Sequence, residues 1–198
     1  MAPLGHQIRA SQTADTITVY QAYGEDIAQA ALRHQTFVAP FKRERMTWIK
    51  PSFLWMMYRS GWGMKTGQSQ VLSIEISREG LCWALEHACL SHFQKDIHRD
   101  EIAWREQLAN SPVRIQWDPE RDIHLSPLLH RSIQIGLSQQ AVDLYCSEWI
   151  VSIRSVMPLI QNIREKLDQG DCESAQALLP VETIVEVDVS NKFAIGLI

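Results

Sequence analysis

The chain has 198 residues, 45 % of them hydrophobic and 21 % charged, with a formal net charge of −4. That length supports one well-buried core and is short for two, and the composition excludes extended disorder. With a pI near 6.0, a global attraction to nucleic acid or to an anionic membrane is also excluded, so any such partner would require a local basic patch.

The N-terminal stretch from Met1 to Ala10 shows no apolar run flanked by positive charge, and no segment approaches the ~20 apolar residues that span a bilayer. Cys82, Cys89, Cys146 and Cys172 have no framework spacing and read as free thiols of a reducing compartment, so the expected location is the cytoplasm.

In chain order, Ile17 to Tyr23 (ITVYQAY) is β-branched and aromatic and predicts a strand. Gly24 breaks it, and Glu25 to Phe37 has helical spacing with acids in its first turn. A basic connector, Val38 to Ile49, follows. Pro51 then suits a helix start and Gly61 a helix end, which predicts a helix over Pro51–Ser60. Gln70 to Ser77 alternates, with Leu72, Ile74 and Ile76 opposite Ser73, Glu75 and Ser77. Helices are expected from Gly80 to about His92 and from Asp100 to Leu108. Val113 to Asp118 and Arg131 to Leu137 alternate again, and Asp118-Pro119 is expected to turn the chain.

Val142, Tyr145, Trp149, Ile153, Val156, Ile160, Ile163 and Leu167 then step by three or four residues, which predicts one long helix from a cap at Ser138 to Gly170, kinked at Pro158. Thr183 to Ser190 reads as a terminal strand. The fold expected is α+β: a single domain with a mixed or mainly antiparallel sheet of four to six strands, its apolar face covered by the long helix. Its polar face would carry Glu75, Gln116 and Gln134, with Asp118 and Arg114 near a strand end.

Residues 41–65 stand apart. They hold Lys42, Arg43, Arg45, Lys50, Arg59 and Lys65 against Glu44 alone, a balance of +5 that leaves −9 for the remainder. Six of sixteen aromatics and four of six methionines fall there too. Guanidinium forks bind phosphate and indole faces stack on bases, so the segment suits a phosphate-bearing, base-bearing ligand. Lys50 precedes the predicted helix start, whose backbone N–H groups favour an anion. The competing reading is structural: Phe53, Met56, Met57 and Ser60 have core spacing, and a methionine and aromatic stripe of that kind usually packs.

The run RMTWIKPSFLWMMYRSGWG, with VYQAY before it and VRIQWDPER and RSIQIGL after it, closely resembles the family called domain of unknown function 4291, from about Ile8 to the long helix. That resemblance implies a fold and no reaction. The strand VYQAY is also faintly similar to the ADP-ribosyltransferase strand that carries an arginine after its tyrosine. Tyr20 stands at that tyrosine, Gln21 in place of the arginine and Ala22 in place of the following glycine. On this analogy Arg9 would contact a pyrophosphate, Glu75 or Gln134 would hold a ribose, and NAD would be the cofactor.

Other motifs fail. Gly61 to Gly67 has Met64 where a phosphate loop needs glycine, and its glycine spacing misses the dinucleotide fingerprint. Cys82, His87, Cys89 and His92 do not complete a tetrahedral set, so no metal is expected. Two readings follow. The first is an enzyme acting on a nucleotide-type or phosphorylated substrate, with Arg45, Lys50, Arg59 and Lys65 on phosphate, Trp48 or Trp62 stacking, and Glu75 or Gln134 orienting the reacting group. The second is a non-catalytic module for single-stranded RNA or an acidic partner.

Overall fold

A computed structural model describes residues 5–197. The reading of the N-terminal stretch falls partly on residues 1–4, which lie outside the described residues. The architecture is α+β, built on mixed sheets.

Strands β2 (Thr16–Tyr23), β4 (Gln70–Ser77) and β8 (Ile150–Ser155) form an antiparallel sheet in the order β2-β4-β8. A second sheet has the order β3-β7-β6-β5, from β3 (Thr47–Ile49), β7 (Pro127–Leu137), β6 (Val113–Arg121) and β5 (Ala88–Leu90), with only the β5–β6 pair parallel. The two sheets meet at one backbone bridge. Tyr20 N–H donates to the Lys50 carbonyl at 2.7 Å, and Lys50 N–H donates to the Tyr20 carbonyl at 3.3 Å. Beyond this bridge β2 and β3 lose their pairing. A two-stranded ribbon, β1 (Arg9–Ala10) with β9 (Thr183–Ile184), completes the strands.

Strand alternation sorts the residues by face. Ile17, Val19, Leu72, Ile74, Ile76, Ile49, Ile115, Ile133 and Ile135 bury on one side in the larger core. That side is covered by α1 (Glu25–His34), α3 (Arg78–Glu86), α5 (Gln140–Leu144) and a π-helical turn at Tyr145–Trp149. On the other side α2 (Phe53–Ser60), α6 (Met157–Asp168) and α7 (Cys172–Ala177) form a second core with Tyr20 and Val71. The remaining helix, α4 (Glu101–Asn110), is capped by Asp100 and buries none of its residues.

The expected long helix is not formed. Residues 150–155 are strand β8, where Ile153 pairs with Ile74. A four-residue step from Trp149 to Ile153 fits a helix, but the β-branched Ile150, Val151 and Ile153 favour the sheet edge that is open beside β4. Pro158 lies in the first turn of α6, where its missing N–H is harmless, and causes no kink. Three further differences are local. Asp118-Pro119 does not turn the chain, because β6 continues to Arg121 through a bulge. The helix expected to reach His92 ends at Glu86 and is followed by β5. Of the terminal strand only Thr183–Ile184 is paired, although Val185, Val187 and Val189 still alternate into the core.

A cleft at the split between two sheets

Where β2 and β3 diverge, side chains replace the missing backbone ladder. Gln21, only 3 % exposed, donates from Nε2 to Thr47 Oγ1 at 2.6 Å and to the Tyr23 hydroxyl at 2.9 Å. Its Oε1 accepts from the Tyr145 hydroxyl at 2.8 Å, delivered by the π-helical turn. Burial pushes the Tyr23 and Tyr145 phenols above their ordinary range, so both stay neutral and act through hydrogen bonds.

The split opens into a cleft of about 450 Å³. Its floor is the polar face of β3, β7 and β6, on which alternation places Trp48, Lys50, Gln134, Gly136, Gln116 and Asp118. Gln134 Nε2 donates to Gln116 Oε1 at 2.7 Å and to Asp118 Oδ2 at 2.8 Å, which fixes the amide orientation from below. The Trp48 indole lies against Gly136, where an added Cβ would sit 2.9 Å from its Cζ2 atom. Helix α2 supplies a wall with Met56 and the exposed Arg59.

Lys50 is 5 % exposed. Its Nζ donates to the Trp48 carbonyl at 3.3 Å and lies 5.9 Å from the Trp55 ring centroid. Burial lowers its pKa from 10.5 to about 7, Arg59 pushes it in the same direction, and Asp118 partly opposes them.

Of the residues singled out in the sequence, the cleft brings together Gln21, Trp48, Lys50, Arg59, Gln116 and Gln134. The others lie elsewhere. Glu75 sits on β4 between Thr18 and Ser152, and accepts from the Ser152 hydroxyl at 2.8 Å. Arg9 is on β1, bonded to Gln7. Tyr20 is buried edge-on against Phe53, with its phenol pushed up by burial. Trp62 has a left-handed backbone and packs on Phe53. Lys65 folds back to the Tyr58 and Arg59 carbonyls, at 3.4 and 2.8 Å, and caps α2. Arg45 borders a separate, adjacent cavity of about 360 Å³ with Lys42, Phe41 and Pro40.

The anion site expected at the start of the Pro51–Ser60 helix is already filled from within. Ser52 caps α2, accepting from Trp55 N–H at 3.1 Å and donating to the buried Glu120 at 2.8 Å. Phe53 N–H donates to Glu182 at 2.7 Å. Burial raises the Glu182 carboxyl to about 8; the Phe53 bond opposes this and Glu120 adds to it.

Thr47, Tyr23, Met46 and Gln68 border the cleft without having been singled out. Thr47 belongs to a three-residue strand, too short to show a period. Met46 and Gln68 lie in loops that the alternation of the neighbouring strands does not reach.

Among the described residues, no helix is long and apolar enough to cross a membrane, and no group of three metal-ligating side chains is found. No curated protein matches the chain. The family model described as Domain of unknown function (DUF4291) matches residues 7–185, and the chain belongs to that family.

Proposed function

We propose that the cleft binds a nucleotide-type or otherwise phosphorylated small molecule. The observation that carries this reading is Lys50, a basic side chain held inside a polar cleft with a backbone carbonyl as its hydrogen-bond partner, while Arg59 borders the same space. A buried ammonium without a counter-charge is unfavourable, and a bound phosphate would supply one. Arg59 offers the fork geometry for phosphate, and the half-buried Trp48 offers a ring face. The Gln116–Gln134 pair, with Asp118 beside it, offers donors and acceptors suited to sugar hydroxyls or a base edge.

Group transfer from a nicotinamide dinucleotide is the most specific form of this proposal, but it draws less support because Arg9 and Glu75 lie away from the cleft. Single-stranded RNA draws less still, since it asks for cations in a row and Lys65 and Arg45 do not share the cleft with Lys50.

The test is a melting panel with NAD, mononucleotides and sugar phosphates. A ligand at a hundredfold excess over its Kd stabilises by about 2.7 kcal/mol, or roughly 5–10 °C for a chain of this size. Arg59→Ala and Trp48→Ala should each reduce the shift. No shift with any ligand at millimolar concentration defeats the proposal.

A further inference from the structure

We propose that Lys50 is a nucleophile that condenses with the aldehyde carbon of a sugar phosphate seated in the cleft, an inference that rests on the ligand reading above.

The geometry separates the two cations. Arg59 is exposed at the wall and carries the fork that grips phosphate, so in this step it holds the phosphate and Lys50 is not the phosphate's counter-charge. Lys50 lies deeper, on the floor strand, and its Nζ has one backbone acceptor. The ion pairs among the described residues are Arg43–Asp143, Arg99–Asp100 and Arg105–Glu101, all on the surface, so Lys50 is held without a carboxylate partner at salt-bridge distance. Such a site favours the neutral amine, the nucleophilic form, and a neighbouring guanidinium strengthens that preference. The opposite assignment, with Arg59 attacking, is closed to a guanidinium. Gln134 and Gln116 line the same cleft, with Asp118 accepting from Gln134, and match a chain of hydroxyls better than an apolar ligand.

In the step itself, the Nζ lone pair attacks the aldehyde carbon and the carbonyl π electrons move to oxygen. That oxygen takes one proton from the attacking nitrogen and a second from solvent, and departs as water from the carbinolamine, leaving a protonated imine. One water is released and nothing is oxidised.

The experiment uses the full chain with ribose 5-phosphate and sodium cyanoborohydride at pH 7, read by intact mass and peptide mapping. Lys65, an exposed lysine of the same segment, is the internal control and does not depend on the folding of any variant. The expected result is reduced adduct at Lys50 forming at least tenfold faster than at Lys65, slowed by inorganic phosphate or AMP, and absent at that position in Lys50→Arg. Labelling of Lys50 no faster than Lys65 overturns the inference, as does labelling by plain ribose at the same rate as by ribose 5-phosphate. If either occurs while the phosphorylated ligands still raise the melting temperature, the nucleophile alone is lost. If the melting shifts are missing as well, the ligand reading falls with it.

Discussion

Replacing Lys50 with methionine isolates the energetic burden of the buried amine. The side chain stays long and apolar beside Trp55, and the charge goes. Lowering the pKa from 10.5 to about 7 corresponds to a penalty on the order of 5 kcal/mol against the charged form, present in full below pH 7. Because the folded value lies below the unfolded one, the unfolded chain holds the extra proton between pH 7 and 10.5. Stability therefore rises with pH across that window, by ~1.4 kcal/mol per unit from this group.

Glu182 acts with the opposite sign. Its folded value of about 8 exceeds the ordinary 4.5, so stability falls as pH rises between those limits. Together the two groups place a stability trough between pH 7 and 8. Urea denaturation at pH 6, 7.5 and 9 reads it directly, the last at the lower edge of the range in which Cys146 (pushed up to about 11 by burial) and the buried phenols remove stability. Lys50→Met should gain ~2–5 kcal/mol at pH 6 and lose the rise between pH 7.5 and 9. A variant less stable than wild type at pH 6, or a wild-type curve that keeps falling from 7.5 to 9, would refute the reasoning.

Two further substitutions probe the surroundings. Glu182→Gln keeps an oxygen for Phe53 N–H and removes the charge, so stability between pH 5 and 7 should lose its downward slope; an unchanged slope in urea midpoints would exclude Glu182 as its source. In Gly136→Ala the new methyl lies 2.9 Å from both Met46 Sδ and Trp48 Cζ2, which lifts the indole from the floor. The expected result is a modest loss of stability, ~1–3 kcal/mol, with at least a tenfold loss of affinity for whichever phosphorylated ligand shifts the wild type; unchanged affinity by calorimetry would show that Trp48 is not a ligand platform.

The elements with a clean two-residue period were legible in the sequence. Gln70–Ser77 is a strand over its whole predicted length, and the floor residues Gln116 and Gln134 lie on the polar face that alternation assigned them. What could not be read was set by distant partners. Strand β3 has three residues and exists because β7 pairs with it. Strand β8 sits inside a helical stripe and is decided by the open edge of β4. The start of α2 looks like an anion site until Glu182, 129 residues away, reaches it. Glu75 shares a plausible pattern with Gln134, but the order β2-β4-β8 carries it away from the cleft.

The +5 charge of residues 41–65 can now be divided by what each cation meets. Lys65 is spent on the carbonyl end of α2, and Arg43 faces Asp143 at 3.4 Å on the surface. Arg45 and Lys42 border the neighbouring cavity. Lys50 and Arg59 are the two that share the cleft. Helix α2 thus has its N-terminal N–H and cap groups bonded by carboxyl groups of its own chain, while Arg59 near its other end faces the cleft opposite a deep amine. A lysine in that position weakens the folded state below pH 7, where a methionine would not. The physical gain that can offset such a loss is a ligand that engages the amine, either as a counter-charge or as an electrophile, and the stability and trapping measurements separate those two roles.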